Sequence, residues 1–125
     1  METFAKENQK IIKPFYRADI VLFPFPYTDL KNRKLRPCLV LSSEMNEDIL
    51  LCQITSKKIK KDDYSIEIKK ENTLDGSLEI DSYIRTNMLF TANIPQIKLK
   101  ICSLKEDDYS KVVDKIINLI SKKYY

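Results

Sequence analysis

The side chains that could carry chemistry in this chain are hydroxyls, carboxylates and guanidinium groups, because the sequence contains no histidine. This composition excludes a paired-imidazole acid–base scheme and any metal site built on histidine ligands. Cys38, Cys52 and Cys102 form no C-x-x-C pair, and the first two lie in apolar runs. We interpret them as small core residues in a reducing compartment. Carboxylate-bound magnesium stays open, although no acidic cluster indicates it, and no cofactor is expected.

Arg36 is the first candidate for chemistry, because it directly precedes Pro37 at the start of an apolar run. A planar, permanently charged guanidinium suits the stabilisation of negative charge on phosphate oxygens during phosphoryl transfer. Since a guanidinium keeps its proton in proteins, it is a poor general base. From the residues alone, a surface ion pair is the more ordinary role for Arg36.

Thr55 is the second candidate, and it stands at the end of another apolar run, followed by Ser56 and Lys57. Its hydroxyl can donate and accept a hydrogen bond, so it could bind a phosphate oxygen or orient a reacting hydroxyl. From the residue alone, an ordinary β-branched strand position without chemistry is the more common role.

The elements that must position these residues are predicted to be mostly short strands, because apolar and alternating runs of four to eight residues recur along the chain. Pro24 and Pro26 predict that the first strand ends there and that the chain leaves the sheet, followed by an exposed loop at Tyr27–Leu35. The predicted strands are Ile20–Phe23, Cys38–Leu41, Ile49–Cys52, Tyr64–Lys69, Leu78–Met88 and Ile97–Ile101.

The C-terminal segment predicts a helix of about 20 residues. Ser103 and Glu106 fit a capping box, with Ser103 at the N-cap. Apolar residues then follow at helical spacing between Tyr109 and Tyr124, which indicates a core or dimer contact. Together the elements predict an α+β domain: a strongly bent antiparallel sheet, or a small open barrel, closed by the helix.

Length and charge set broader limits. A chain of 125 residues fits one domain, and we expect residues 17–125 to form it, preceded by an N-terminal extension (1–16) that is partly helical around Glu2–Ile12 or irregular. The net charge of +4 permits nucleic-acid binding without proving it. With no apolar run of signal-peptide or membrane-spanning length, a cytoplasmic location is expected.

Several motifs closely resemble the PemK/MazF toxin family. Ala18–Leu30 is similar to that family's strand and loop "GDIV…FPYTDL", and Arg36-Pro37 to the "RP" that opens its next strand. The segments around Thr55, Ser82–Arg85 and Ile101–Leu104 agree in order and spacing, so that the resemblance extends from about residue 18 to 120.

The resemblance implies an SH3-like toxin fold, a homodimer and a cognate antitoxin that blocks the substrate groove. It also implies metal-independent, sequence-specific cleavage of single-stranded RNA, in which the 2′-hydroxyl attacks the adjacent phosphate. In this family the products end in a 2′,3′-cyclic phosphate and a 5′-hydroxyl. An antitoxin, a single-stranded RNA and a second copy of the chain are therefore the expected partners.

Roles for individual residues follow from the same resemblance. Arg36 and Thr55 match catalytic positions, and Asp29 is a candidate base or recognition residue. Ser82 stands where some relatives carry an acid, which leaves the identity of the base open, and neighbouring Asp81 is expected on the opposite sheet face. The candidate RNA-binding residues are Tyr27, Ser56, Lys57, Ser82 and Arg85.

Two departures from the family pattern concern the backbone. Ala18 and Cys102 replace glycines, which predicts that neither position needs a positive φ. Two other functions stay open on the same fold: a non-enzymatic poison and an RNA-binding module without catalysis. Gyrase-poisoning relatives rely on a tryptophan near the chain end, and this sequence has none.

Overall fold

The computed structural model describes residues 14–26, 33–57 and 62–123. Within these ranges the chain forms strands, a 3-10 turn at Ile94–Gln96 and a C-terminal helix. In chain order these elements are β1 (Asp19–Pro26), β2 (Arg33–Val40), β3 (Asp48–Thr55), β4 (Ser65–Ile68), β5 (Thr73–Leu74), β6 (Ser82–Asn93), β7 (Leu99–Leu104) and α1 (Glu106–Ser121).

All of the described strands join one sheet, in the order β4-β6-β3-β2-β1-β7-β5. Every pairing is antiparallel. Irregularities in register between Ile20 and Val21 and between Cys52 and Ile54 allow the sheet to curl. The predicted fold class, a bent antiparallel sheet with a C-terminal helix, is confirmed.

The two faces of the sheet bury separate apolar clusters. The cluster under α1 contains Ile20, Leu39, Ile54 and Ile84, and Val112 of the helix packs into it. On the opposite face the described residues form a second cluster, made of Phe15, Val21, Cys38, Val40, Ile49, Leu51, Ala92, Ile94 and Ile97. Central strands buried on both faces explain why β2 and β3 appear as continuous apolar runs in the sequence.

The first strand continues through the two prolines, so the prediction that the chain leaves the sheet there was wrong. β1 pairs with β2 as far as Pro26, whereas its pairing with β7 ends at Leu22. The carbonyl of Leu22 accepts the N–H of Lys98, so the backbone at Leu22 faces the β7 side. Backbone orientation in a strand repeats every second residue, so the nitrogen atoms of Pro24 and Pro26 also face the β7 side. The pairing of β1 with β7 has already ended there, and the missing N–H groups therefore interrupt no hydrogen-bond ladder.

Other strand boundaries also differ from the prediction. The predicted loop at Tyr27–Leu35 overlaps β2, which begins at Arg33, while residues 27–32 lie outside the described part of the chain. The strand predicted at Leu78–Met88 begins only at Ser82 and runs on to Asn93. Pairing with β3 accounts for that extension, because every residue from Asp48 to Cys52 has a partner between Leu89 and Asn93 of β6.

The helix α1 has 16 residues and lacks the predicted capping box. Lys105 is the N-cap, without a side-chain cap, and Ser103 belongs to β7, where its hydroxyl donates to Asp19 Oδ1 (3.4 Å). Three acidic residues in the first turn stabilise the helix N-terminus instead: Glu106, Asp107 and Asp108. Tyr109, Val112 and Ile116 are buried. Tyr124, the last of the apolar residues predicted at helical spacing, lies outside the described residues.

Ala18 does adopt a left-handed backbone, with φ of 76°, which corrects the expectation that this position manages without a positive φ. Its N–H donates to the carbonyl of Val40 (2.9 Å) and its carbonyl accepts the N–H of Leu104 (2.8 Å). The two neighbouring strands therefore hold the conformation in place. Cys102, in contrast, lies within the extended backbone of β7, as expected.

The start of the described chain is tied to the domain. Phe15 is buried, and its N–H donates to Glu44 Oε2 (2.8 Å). The helix expected around Glu2–Ile12 lies outside the described residues. Among the residues that are described, no helix combines the length and the apolar character needed to cross a membrane.

Substitutions at Ala18 should separate backbone strain from packing. Ala18→Val places a β-branched residue in the left-handed region and should lower the free energy of unfolding by about 2 kcal/mol. Ala18→Gly relieves the strain but removes a buried methyl group, and should stay within about 1 kcal/mol of wild type. Urea denaturation measures both. Equal stability of the two variants would contradict the strained conformation.

The cysteines should be unreactive in the folded protein. Burial raises the pKa of the Cys38 and Cys52 thiols to about 12, and it also raises the pKa of Cys102. Because the thiolate is the reacting species, a thiol reagent at pH 8 should label the native protein slowly and all three cysteines once guanidinium unfolds it. Rapid labelling of the native protein would show that these side chains are accessible.

Candidate active site

Pro37 interrupts the hydrogen-bond ladder between β2 and β3. The N–H of Leu41 donates to the carbonyl of Leu50 (2.9 Å), so the backbone groups of Leu41, Leu39 and position 37 face β3. Proline has no N–H, and the next ladder bond, from position 37 to the carbonyl of Ile54, cannot form. The pairing of β2 with β3 accordingly ends at Cys38–Gln53.

Beyond that point each strand follows its other neighbour. Arg36 pairs with Phe23 of β1, and Thr55 pairs with Tyr83 of β6. A cleft of about 460 Å³ lies where the two strands separate. Its described lining comes from both strands, from the segment before β6 and from β1 and β7: Leu22, Lys34, Leu35, Arg36, Pro37, Ile54, Thr55, Ser56, Ser77, Leu78, Glu79, Ile80, Ser82 and Ile101.

Arg36 and Thr55, the two residues predicted to be catalytic, line this cleft from its two walls. Each stands two residues beyond the last paired positions of its strand, Cys38 and Gln53. Both are half-buried, and neither is sealed in the core. Arg36 and Thr55, which are separated by 19 positions in the sequence, thus line the same cleft.

The hydroxyl of Thr55 is oriented by the turn that follows it. Thr55 Oγ1 accepts the backbone N–H of Lys57 (3.1 Å). With one lone pair engaged in that bond, the hydroxyl proton is available to be donated to an anion in the cleft. Ser56 lines the cleft beside it and is exposed. Lys57 is exposed too, but it is not among the lining residues.

Ser82 lines the cleft but is only 2% exposed. Its hydroxyl donates to the carbonyl of Ile80 (2.8 Å), so the side chain fastens the backbone of the segment before β6. Asp81, which follows Ile80, is not part of the described lining. Its Oδ1 accepts the N–H of Lys70 (2.8 Å), and Lys69 Nζ lies 3.7 Å from its Oδ2.

Arg85 is not among the described residues that line the cleft. Arg85 is half-buried in β6, and its Nε is buried without a hydrogen-bond partner among the described residues. Tyr27 and Asp29 lie outside the described residues, and their predicted roles stay predictions.

The charged side chains of the described lining are Lys34, Arg36 and Glu79. Two cations and one carboxylate give the cleft a positive balance, which favours an anionic ligand. Sequence reasoning missed Glu79, because no local pattern connects the segment after β5 with strands β2 and β3. Pro37 carried a readable signal, since a proline in an apolar central strand predicts a break in its ladder.

Metal ligation is the remaining chemical option for the site. In the part of the chain that the structure describes, no group of three or more cysteine or acidic side chains is arranged to hold a metal ion. The described lining of the cleft supplies a guanidinium, an ammonium, hydroxyls and a carboxylate.

The described elements form a curled antiparallel sheet covered by one helix, a small SH3-like architecture. A family model for the PemK-like, MazF-like toxin of type II toxin-antitoxin systems matches residues 16–120. The chain therefore belongs to this family of toxins. Among curated protein sequences, none matches the chain significantly.

Solved structures of MazF toxins share the fold at low sequence identity. The MazE–MazF complex of Deinococcus radiodurans has a TM-score of 0.69 at 14% identity, covering 86% of this chain and 97% of that one. Toxin MazF-mt6 of Mycobacterium tuberculosis has a TM-score of 0.66 at 15% identity, covering 85% and 99%. A mycobacterial endoribonuclease in complex with its cognate antitoxin has a TM-score of 0.67 at 9% identity, covering 90% and 100%.

Replacing Pro37 tests whether it opens the cleft. In Pro37→Ala the new N–H can donate to the carbonyl of Ile54, which should extend the ladder and narrow the cleft. Hydrogen exchange monitored by NMR should then show a protected amide at position 37, comparable to the amide of Leu39. A rapidly exchanging amide at position 37 would mean that the strands separate for another reason.

Proposed function

We propose that this toxin is a metal-independent endoribonuclease that cuts single-stranded RNA at a specific sequence. The observation that carries the proposal is the placement of Arg36 and Thr55 on the two walls of one positively charged cleft. Both residues match catalytic positions of the family, and the structurally similar proteins include a mycobacterial endoribonuclease and the toxin MazF-mt6 of Mycobacterium tuberculosis.

The reaction proposed is an intramolecular phosphoryl transfer. The 2′-oxygen of the RNA forms a bond to the adjacent phosphorus while the bond from phosphorus to the 5′-oxygen breaks. The 2′-hydroxyl loses its proton to a base, and the leaving 5′-oxygen takes up a proton from solvent. One fragment ends in a 2′,3′-cyclic phosphate and the other in a 5′-hydroxyl.

Arg36 and Thr55 would act on the phosphate in this reaction. The guanidinium of Arg36 can donate two directed hydrogen bonds to the non-bridging oxygens, where negative charge accumulates in the transition state. Thr55, whose oxygen already accepts the N–H of Lys57, can donate its proton to the same phosphate. Ser56 extends the row of donors beside it.

The cleft can also hold the nucleotides beside the cut. Exposed apolar side chains at its rim, Leu35 and Ile80, offer contact to bases that are not paired in a duplex. In this proposal Tyr27 stacks on a base, Lys57 and Arg85 contact the phosphate backbone, and Asp29 is a candidate base or recognition residue. Duplex RNA, whose bases are stacked inside, should be a poor substrate.

Two protein partners complete the proposal. A cognate antitoxin is expected, because the similar toxins of Deinococcus radiodurans and of a mycobacterial species are in complex with an antitoxin. A homodimer is expected from the family resemblance, and the exposed Ile117 and Ile120 of α1 are available for a contact between proteins. Binding of the antitoxin across the cleft would stop RNA from entering.

A binding module without catalysis is the second candidate, because the same cationic cleft would retain RNA without cutting it. A poison that acts on gyrase is disfavoured, since the chain has no tryptophan. Incubation with RNA distinguishes the first two functions by the length of the recovered RNA.

Purified, antitoxin-free protein should cleave a mixed single-stranded RNA in the presence of EDTA. Arg36→Ala should lower kcat/KM by about 10²–10³-fold, as the loss of one transition-state donor does in other enzymes. Thr55→Val, which keeps the shape of the side chain, should lower it in the same direction, and Thr55→Ser should restore most of it. End mapping should find 2′,3′-cyclic phosphate and 5′-hydroxyl termini.

Arg17→Ala is the matched control for the loss of a cation. Arg17 is exposed, pairs with Glu106 (3.1 Å) and does not line the cleft, so its loss should leave cleavage unchanged. Circular dichroism should show all variants folded. Recovery of intact RNA after prolonged incubation with folded wild-type protein would overturn the enzymatic proposal and favour the binding module.

A further inference from the structure

The proposed reaction requires a group that accepts the proton of the 2′-hydroxyl. Arg36 and Lys34 are cationic donors, and the hydroxyls of Thr55, Ser56, Ser77 and Ser82 are weak bases at neutral pH. Glu79 is the one carboxylate among the described residues that line the cleft. We propose that Glu79 is the general base of the reaction, an inference that rests on the proposed ribonuclease function.

The segment that carries Glu79 is anchored on both sides of it. On one side Leu78 is 3% exposed and packs into the core cluster beneath α1. On the other side the carbonyl of Ile80 accepts the buried hydroxyl of Ser82 (2.8 Å). Glu79 itself is exposed between these two anchors. A carboxylate that reaches into solvent from a fixed backbone can enter a substrate complex without a large loss of backbone entropy.

The start of the same segment is fixed against β7. Gly76 has φ of 128°, and a Cβ at this position would collide with the carbonyl oxygen of Ile101, itself a lining residue of the cleft. The carbonyl of Gly76 also accepts the hydroxyl of Thr73 (2.8 Å). The approach of the segment to the cleft is therefore built into the packing of β5 and β7, and does not depend on a bound ligand.

Ser82 explains why the carboxylate comes from position 79. Its side chain is buried and engaged with Ile80, so it holds the segment instead of reaching the substrate. Asp81 points its carboxylate at Lys69 and the N–H of Lys70, outside the described lining. Glu79 is therefore the acidic residue of this segment that lines the cleft.

Glu79 then has a different role in the reaction from Arg36 and Thr55. Glu79 takes the proton from the 2′-hydroxyl as the bond between the 2′-oxygen and phosphorus forms. Arg36 and Thr55 stabilise the charge on the phosphate, and the 5′-oxygen leaves with a proton from solvent. Glu79 returns its proton to solvent after the cyclic phosphate has departed, so that the enzyme is unchanged after each cut.

The test compares the pH dependence of kcat/KM in wild-type protein and in Glu79→Gln, with a single-stranded RNA that the wild type cuts. A base in the free enzyme produces an acidic limb, along which kcat/KM falls as the base becomes protonated. Glu79→Gln should lower kcat/KM by about 10²–10⁴-fold, the usual contribution of a general base, and should abolish that limb. Glu79→Asp should retain the limb with part of the activity.

Glu71→Gln is the matched control, because it removes the same charge from an exposed position outside the cleft and should leave kcat/KM unchanged. Binding of an RNA with a 2′-deoxy substitution at the cut site should stay within a few-fold of wild type in Glu79→Gln. That result separates catalysis from a purely electrostatic effect on affinity.

Asp29→Asn tests the alternative that Asp29 is the general base. If Asp29→Asn abolishes the acidic limb and Glu79→Gln keeps it, the base is Asp29 and the inference is overturned. An unchanged pH profile in Glu79→Gln overturns it as well, while leaving the ribonuclease function intact. If folded wild-type protein cuts no RNA at all, the proposed function fails and the assignment of Glu79 fails with it.

Discussion

The missing N–H of one proline shapes the functional region of this protein. β2 is a central strand, and a central strand normally donates to both neighbours. At Pro37 the donation toward β3 is impossible, so the ladder ends at Cys38–Gln53 and the two strands separate. The cleft lies in the resulting gap, with Arg36 on one wall and Thr55 on the other. A local defect in hydrogen bonding thus opens the candidate site.

Core packing and the remaining strand pairing compensate for the hydrogen bond that is lost at Pro37. Both faces of β2 and β3 bury apolar side chains next to the break, among them Leu39, Ile54 and Cys38. Each strand also keeps its other neighbour, β1 or β6, through the region where the two separate. A loss of one ladder bond, worth about 1 kcal/mol, is small against the burial of several aliphatic side chains at about 1.5–3 kcal/mol each. The strained backbone of Ala18 is held in the same way, by hydrogen bonds to Val40 and Leu104.

The charges of the cleft fit a reaction on a phosphodiester without a metal. Lys34 and Arg36 supply positive charge suited to the proposed phosphodiester substrate, and the hydroxyl of Thr55 is oriented by the N–H of Lys57. Glu79 adds a group that can accept a proton, held between a buried leucine and a serine that bonds the adjacent carbonyl. The chain belongs to the PemK-like, MazF-like toxins and shares the fold of MazF structures.

The sequence by itself determined the elements whose signals are local. Apolar runs identified β2 and β3, alternation identified β4, and helical spacing identified α1, because the side-chain period is a property of a single segment. Family motifs identified Arg36 and Thr55. Only the tertiary structure decided matters that depend on a neighbouring strand: that Pro24 and Pro26 stay in β1 beside an open edge, that Ser103 bonds Asp19 instead of capping a helix, and that Glu79 lies in the cleft. Each of these depends on which backbone groups face each other across the sheet, and no pattern within one segment contains that information.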